Sequence, residues 1–512
     1  MRYPHIAIGL LCLLSANESL RILVLFPVNS KSHSLLGHGM VDHLLKGGHE
    51  VVHFTSFPRA NSSPNLKEYN VSSIVGSFEL RNLIQKSNAV DSMLFPYLTY
   101  VIHRDFLEHP TVIEFLNDPK EKFDLVINEW FFAESLAGVA PLFQCPMIWV
   151  CSTEPHWQSL RLIDEVPNTA YTVDLFATSR APLNFWERTT ELWKVVKKSL
   201  ILKGVAIFEK LLYYRVYPEI AAKRGIEMPP YEEAVYNGSL MFINSHPSVG
   251  SAFRLPQNAI SIAGYHINDN LQPLPKDLQK IMDTAKHGVI YFSMGSNIKS
   301  SGMSQNMKEM LLRVFGKLNQ TVIWKFESDL LNIPANVHLI DWAPQQTILA
   351  HPNLKFFITH GGQLSTTEAL FYGVSLIGLP IMADQHINMV TVQNKGFGIK
   401  VTLTEDMEDD LAAAIQEMLR NDSYKLRAKE LSMIYHDRIA TPGDEIRHWV
   451  QHVVKTKGAP HLRSPALNVP LYQKLYLDLA AVLLIVTVTV YKLLSRLLKK
   501  TKPTQKKKEK KN

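Results

Sequence analysis

The side chains best suited to chemistry in this chain cluster in residues 342–389, WAPQQTILAHPNLKFFITHGGQLSTTEALFYGVSLIGLPIMADQHINM. Residues 354–360 (LKFFITH) are a continuous apolar run ending in His360, the pattern of a strand buried on both faces of a parallel sheet. Gly361 and Gly362 follow, and glycine backbone can bring its N–H groups close to a ligand. Ser365 then opens a helix with Glu368 three residues later, a capping-box spacing. A helix start carries unpaired N–H groups and the positive end of the dipole, so it suits an anion, phosphate above all. Taken alone, Ser365 and Glu368 read first as a cap and the double glycine as ordinary punctuation. A second reactive group follows the first apolar strand, where residues 29–38 (NSKSHSLLGH) carry His33 and His38. Imidazole titrates near neutrality and is the commonest general base, but residue type alone does not choose between the two. No DxD triplet stands in a loop that could hold a metal, and no metal-ligating cluster is expected.

The elements that must position these residues alternate regularly. Residues 20–26 read as a strand, followed by a polar loop (29–34), a helix ending near Gly47-Gly48 and a second strand over 49–57, which is a βαβ start. Residues 123–130 (FDLVINEW) and 146–152 (PMIWVCS) are further strands, and Asp124 lies too early on the first of them to reach the histidine loop. Residues 155–235 are long helical patterns rich in aromatics, read as walls of a pocket. Residues 240–247 close a first half (19–247), and 248–275, rich in Pro, Asn and Ser, is the expected linker. The second half (276–470) runs through HGVIYFSMGS, TVIWKF, VHLIDW, LKFFITH and SLIGLP, alternating with helices. Such alternation predicts an α/β chain with two parallel, doubly wound sheets and a cleft between them.

The ends set the cellular context. Ten Lys or Arg and one Glu stand from Lys492 onward, so the formal +7 belongs to the tail and the body is close to neutral. That distribution is no footprint for nucleic acid. Residues 475–494 are long and apolar enough to span a bilayer, with Tyr472, Tyr476 and Tyr491 suited to the interfaces. Residues 1–18 read as a cleaved secretory leader, which with the basic tail (495–512) predicts a single-pass type I chain with a lumenal body. Asn61, Asn70, Asn237, Asn319 and Asn421 head glycosylation sequons. Cys12 lies in the leader, and Cys145 and Cys151 read as free thiols beside a strand.

Residues 342–389 strongly resemble the donor-binding signature of the UDP-glycosyltransferase family, the UDP-glucuronosyltransferase-like group of inverting enzymes. The matching positions are Trp342, Pro344, Gln345, His351, Pro352, His360, Gly361, Gly362, Glu368, Gly373, Pro380, Asp384, Gln385 and Asn388. The resemblance implies two facing Rossmann-like domains (a GT-B glycosyltransferase), with a helix near 444–455 crossing back onto the first and a C-terminal transmembrane helix. It implies that Trp342 and Gln345 face uracil and ribose, and that Ser296, His360 and the main chain after Gly361-Gly362, with Ser365, meet the diphosphate. Glu368 is then expected to accept the ribose hydroxyls, and Asp384 and Gln385 to bond the sugar. The family places its base histidine in an S-H motif after the first strand, which selects His33 over His38. Vertebrate members supply an orienting Asp where this chain has Glu129. The terminus KEKKN is similar to the K-x-K-x-x retrieval signal of endoplasmic reticulum membrane proteins. Many relatives have Asn where this chain has Leu364, and the LST pattern is more like invertebrate members that use UDP-glucose.

The expected function is transfer of glucose from UDP-glucose to a hydroxyl of a small lipophilic acceptor, giving a β-glycoside, in a detoxification or secondary-metabolism role. UDP-glucuronate is the alternative donor, and a nucleotide-sugar-binding membrane subunit of weak activity the alternative class. The UDP-sugar is a co-substrate and no cofactor is expected; the expected partners are donor, acceptor and membrane lipid, with homo-oligomers left open.

Overall fold

The structure, a computed structural model, describes residues 19–60, 63–74, 95–177, 179, 181–268, 270–296 and 299–500. The expected leader with Cys12, the sequon Asn61 and the tail beyond residue 500 lie outside the described residues. Two compact units emerge, Met1–Arg463 and Ser464–Asn512.

Among the described residues, the larger unit holds two sheets. The first has seven strands, β1 (Arg21–Leu25), β2 (Glu50–Thr55), β3 (Leu66–Asn70), β4 (Leu125–Trp130), β5 (Met147–Cys151), β6 (Leu240–Ile243) and β7 (Ala259–Ser261), in the order β3-β2-β1-β4-β5-β6-β7. The second has six, β8 (Val289–Ser293), β9 (Thr321–Lys325), β10 (Val337–Ile340), β11 (Leu354–Thr359), β12 (Leu376–Gly378) and β13 (Gly398–Lys400), in the order β10-β9-β8-β11-β12-β13. Every pairing is parallel. Strand order reverses at β1/β4 in one sheet and at β8/β11 in the other, and open sheets bind ligands at the carboxyl ends of strands at such switch points.

The apolar runs behave as parallel strands require. In β1, Leu23 and Leu25 join one core layer while Ile22 and Val24 join the layer on the opposite face. Two further layers sandwich the second sheet, with Phe357 of β11 in one and Phe356 and Ile358 in the other. β3, β7 and β13, five residues or fewer with little apolar character, were not legible as strands, and β7 arises inside the expected linker. A helix at Pro442–Lys455 returns to the first sheet: Thr441 and Asp444 form its capping box, and Ile446, Val450 and Val453 share a core with Leu36, Met40, Val41 and Leu44 of the helix Lys31–Lys46.

In the smaller unit, the 22 residues Leu477–Leu498 are long and apolar enough to cross a membrane, with a mean hydropathy of 2.1 over their 18-residue apolar window.

Candidate active site

The first sheet supplies a histidine–carboxylate pair. Ser30, extended at φ −142°, accepts a hydrogen bond from the His33 N–H at 3.4 Å and starts the helix at Lys31. His33 therefore lies in the first helical turn, not in a loop as read from the polar residues, because Ser30 caps one turn earlier. β1 and β4 are neighbours with Leu25 opposite Asn128, so the residue after Asn128 faces the segment leading to His33. Glu129 Oε1 accepts from His33 Nδ1 and from Ser152 Oγ, the latter just beyond β5. A carboxylate acceptor at Nδ1 puts the ring proton there and leaves Nε2 free to take a proton. Glu129 is fully buried, His33 opens to the cleft, and Phe131 packs edge-on against the imidazole at 4.5 Å. The longer side chain of Glu129 does reach the histidine.

His38 faces elsewhere. Its Nε2 lies 3.9 Å from Glu68, its ring 5.6 Å from that of His53, and burial lowers it to about 4. Asp124 accepts the Arg21 N–H at 2.7 Å, a structural role.

The second sheet supplies a glycine turn that leads straight into a helix start, a geometry suited to an anion. Gly361 takes φ +79°, Gly362 is extended, and the helix Gln363–Phe371 begins at once with Gly362 as its cap residue. Ser365 is thus inside the helix and forms no capping box. The two glycines turn the chain before Ser365 is reached, so Ser365 and Glu368 project sideways. Gln345 Nε2 donates to Ser365 Oγ at 3.2 Å and to Glu368 at 2.5 Å, Gln346 Nε2 donates to Glu368 at 3.0 Å, and His266 Nε2 lies 3.4 Å from it. Burial alone would raise the Glu368 carboxyl, but these partners outweigh it and hold it below the ordinary value.

His360 sits between two glycines. A Cβ on Gly295 would lie 2.5 Å from its Cε1, and one on Gly362 2.5 Å from its Nε2. Burial, with the nearby Lys325 charge, lowers His360 to about 4, so it is neutral at pH 7. Lys325, at the end of β9, is a buried cation that the sequence reading missed; its Nζ donates to Gly295 O at 3.0 Å and pairs with Glu327 at 2.6 Å. Trp342 is half exposed, with Lys31 Nζ 3.8 Å and Lys325 Nζ 5.6 Å from its ring centre. Asp384, which accepts from Asn388 at 2.7 Å, is raised by burial against the influence of Asn388 and His33. Gln385 spends its carbonyl oxygen on the N–H groups of Ile381 and Met382, at 2.9 and 3.0 Å, which pins the turn before it.

One cleft of about 390 Å³ brings together His33, Ser296, Trp342, Gln345, His360, Gly362, Ser365, Glu368, Asp384 and Gln385, with Lys325 among its walls. Glu129 stands behind His33 and Gly361 behind the loop, outside the lining. On the His33 side the wall is apolar: Phe95, Phe131, Phe132, Leu175 and Phe176. Among the described residues, 155–235 contribute Leu175 and Phe176 to it, so their reading as pocket walls holds for this one pair, while nearly half of the stretch forms the helix Phe185–Lys223, none of which lines the cleft. Lys325 and Ser152 could have been found by asking which polar residues lie at the carboxyl ends of predicted strands. Away from the cleft, Asn70, Asn237 and Asn319 are exposed and Asn421 half-buried, Cys151 is buried and Cys145 partly so, and both are free thiols.

A family model described as UDP-glucoronosyl and UDP-glucosyl transferase matches residues 22–512. UDP-glucosyltransferase 2 of Dactylopius coccus is 33% identical, over 92% of this chain and 91% of that protein. UDP-glycosyltransferase UGT5 of the same organism is 30% identical, over 93% and 91%. Among solved structures, Arabidopsis thaliana UGT89C1 complexed with UDP-L-rhamnose superposes with a TM-score of 0.55 at 16% identity, covering 85% of this chain and 99% of its own, a likeness of fold.

Proposed function

Since the chain belongs to the UDP-glucoronosyl and UDP-glucosyl transferase family and is a glycosyltransferase, we propose that it transfers glucose from UDP-glucose to a hydroxyl of a small lipophilic acceptor, with inversion. The observation that carries this reading is the pairing across one cleft of a carboxylate-oriented histidine with a cationic, helix-capped anion pocket. The acceptor lies against Phe95, Phe131, Phe132 and Phe176, and its O–H gives its proton to His33 Nε2. The oxygen attacks C1 of the sugar, the bond from C1 to the diphosphate oxygen breaks, and UDP leaves with the electron pair. Glu129 stabilises the imidazolium that forms. Lys325, a neutral His360 donating through N–H, and the main-chain N–H groups at the start of the helix Gln363–Phe371 meet the departing charge. Trp342 faces the uracil, Glu368 the ribose, and Asp384 and Gln385 the sugar hydroxyls. Glucose is preferred as donor because Leu364 occupies the position where many relatives have Asn, and because the relatives named above include a UDP-glucosyltransferase.

Membranes expressing the chain should transfer label from UDP-glucose to phenolic acceptors, with UDP-glucuronate and UDP-galactose competing poorly, and His33→Ala should abolish turnover. Efficient transfer of glucuronate would overturn the donor assignment, and retained activity in the variant would overturn the base assignment. We further propose a type I endoplasmic reticulum membrane protein with a lumenal body, supported by the apolar helix Leu477–Leu498 and the exposed sequons. Glycosidase treatment should shift its mobility, and protease added to sealed microsomes should remove only the tail.

A further inference from the structure

Beneath the cleft a buried bridge joins the two halves. Gln363, the first residue of the helix after Gly362, donates from Nε2 to Glu154 Oε1 at 3.0 Å and to Asn244 O at 3.1 Å. Glu154 follows β5 and Asn244 follows β6, so both acceptors belong to the carboxyl edge of the first sheet. All three residues are buried. The other Glu154 oxygen accepts from Ser245 Oγ at 2.7 Å, and a Cβ on Gly250 would lie 2.0 Å from it, so the carboxyl group is tightly enclosed. The next residue, Leu364, packs against the first-half core that holds Phe26, Ile127 and Val150.

The bridge lies close along the chain to residues that contact the proposed reacting groups of both halves. Glu154 stands two residues beyond Ser152, which donates to Glu129 behind His33. Gln363 directly follows Gly362, which lies against His360. Leu364 can adhere over a range of small displacements, because apolar contact is non-directional. An amide whose two N–H groups are both spent on buried acceptors is satisfied in one placement, and leaving those acceptors unpaired is costly.

We propose that Gln363 is a positioning residue: its bond to Glu154 and Asn244 O sets the separation of the donor's anion pocket from the His33 base. The proposal rests on the transferase reading above and goes beyond it, since Gln363 is assigned no contact with the donor sugar or the transferred proton. Holding reactants at near-attack distance is a large part of the rate of a two-substrate reaction, and a misplacement of about 1 Å costs on the order of 10²-fold. Removing the bridge therefore lowers kcat, while UDP, bound by the second half alone, keeps its affinity.

The test uses the full-length chain in detergent or nanodiscs, with UDP-glucose and a phenolic acceptor. Gln363→Ala should lower kcat about 10- to 100-fold while the Kd for UDP changes less than about twofold. Gln363→Glu sets a second carboxyl against Glu154, so one of the two must be protonated. Its deficit should be deepest above pH 7 and should shrink toward pH 6, and Gln363→Glu combined with Glu154→Gln should recover activity at high pH. The groups around Glu154 that also titrate are Cys151, His156 and Lys395, and all remain in every variant. A readout independent of acceptor chemistry is hydrogen exchange: UDP binding should protect residues 152–154, and Gln363→Ala should abolish that protection while keeping it at 360–366. A kcat within twofold of the unmutated chain, a parallel loss of kcat and UDP affinity, or unchanged protection at 152–154 would overturn the assignment. Absence of turnover in the unmutated chain would instead count against the transferase reading, and the exchange experiment would still decide the bridge.

Discussion

Replacing Glu129 by Gln isolates the contribution of one buried negative charge to the proposed proton transfer. Glu129 is fully buried and gives one oxygen to both His33 Nδ1 and Ser152 Oγ, so Gln can keep the shape and the hydrogen bonds while losing the charge. The imidazolium formed in the transition state then lacks a counter-charge about 4 Å away; at an effective dielectric of about 20 that interaction is worth about 4 kcal/mol. The amide dipole keeps part of it, leaving a loss of about 3–4 kcal/mol, or about 10²- to 10³-fold in kcat. KM for UDP-glucose should stay within a few-fold, because Glu129 lies outside the cleft lining. Steady-state rates at saturating donor measure this directly, with Glu129→Asp as the control that keeps charge and shortens reach. Asp should be the milder change if charge dominates and the more damaging one if contact dominates. A Gln variant within threefold of the unmutated rate would refute the dyad and return Glu129 to a purely structural role.

Further outcomes follow from the same geometry. Gly362→Ala pushes a Cβ into His360 at ordinary backbone angles (φ −65°), whereas Gly295→Ala adds a left-handed φ of +84° to a similar clash. Both should weaken UDP binding by calorimetry, Gly295→Ala by about 1–2 kcal/mol more, and equal losses would be inconsistent with the sandwich. Lys325→Met should weaken UDP binding about 10- to 100-fold and flatten its dependence on salt, the signature of a lost charged contact. Turnover should survive EDTA, since Lys325, His360 and the helix start are assigned the leaving charge; its loss on chelation and recovery with a divalent cation would overturn that division of labour. Glu154 is raised by burial from 4.5 to about 7, so the folded chain holds the extra proton through that window and loses stability as pH rises from about 4.5 to 7. Glu154→Gln should therefore gain about 2.5 kcal/mol relative to the unmutated chain between pH 5 and pH 8 in denaturant titrations, whereas a pH-independent difference would refute the buried proton.

Much of the donor half was legible because its chemistry is local. Strand, double glycine and helix are consecutive, so their order is written in the local pattern of residues 354–368. The capping box was misread for an equally local reason: the glycines turn the chain three residues sooner than the Ser365–Glu368 spacing suggests, and Gln345, eighteen residues before the start of the helix, claims both side chains. His33 was reached only through resemblance, since His38 on the same helix offers the same imidazole. Topology separates them: β4 beside β1 gives Glu129 to His33, while β2 and β3 bury His38 against His53 and Glu68.

By itself the sequence determined the two α/β halves, the strand–glycine–helix turn and the apolar helix near the C-terminus, because each depends on the period of apolar residues or on glycine at a fixed offset. Only the tertiary structure decided which histidine meets a carboxylate, that Lys325 lies under the same cleft as His360, and that Gln363 joins the halves through Glu154. The reason is separation along the chain. His33 and Glu129 are 96 residues apart and Gln363 and Glu154 are 209 apart, so their meeting depends on strand order and on how two sheets face each other. No local pattern encodes that.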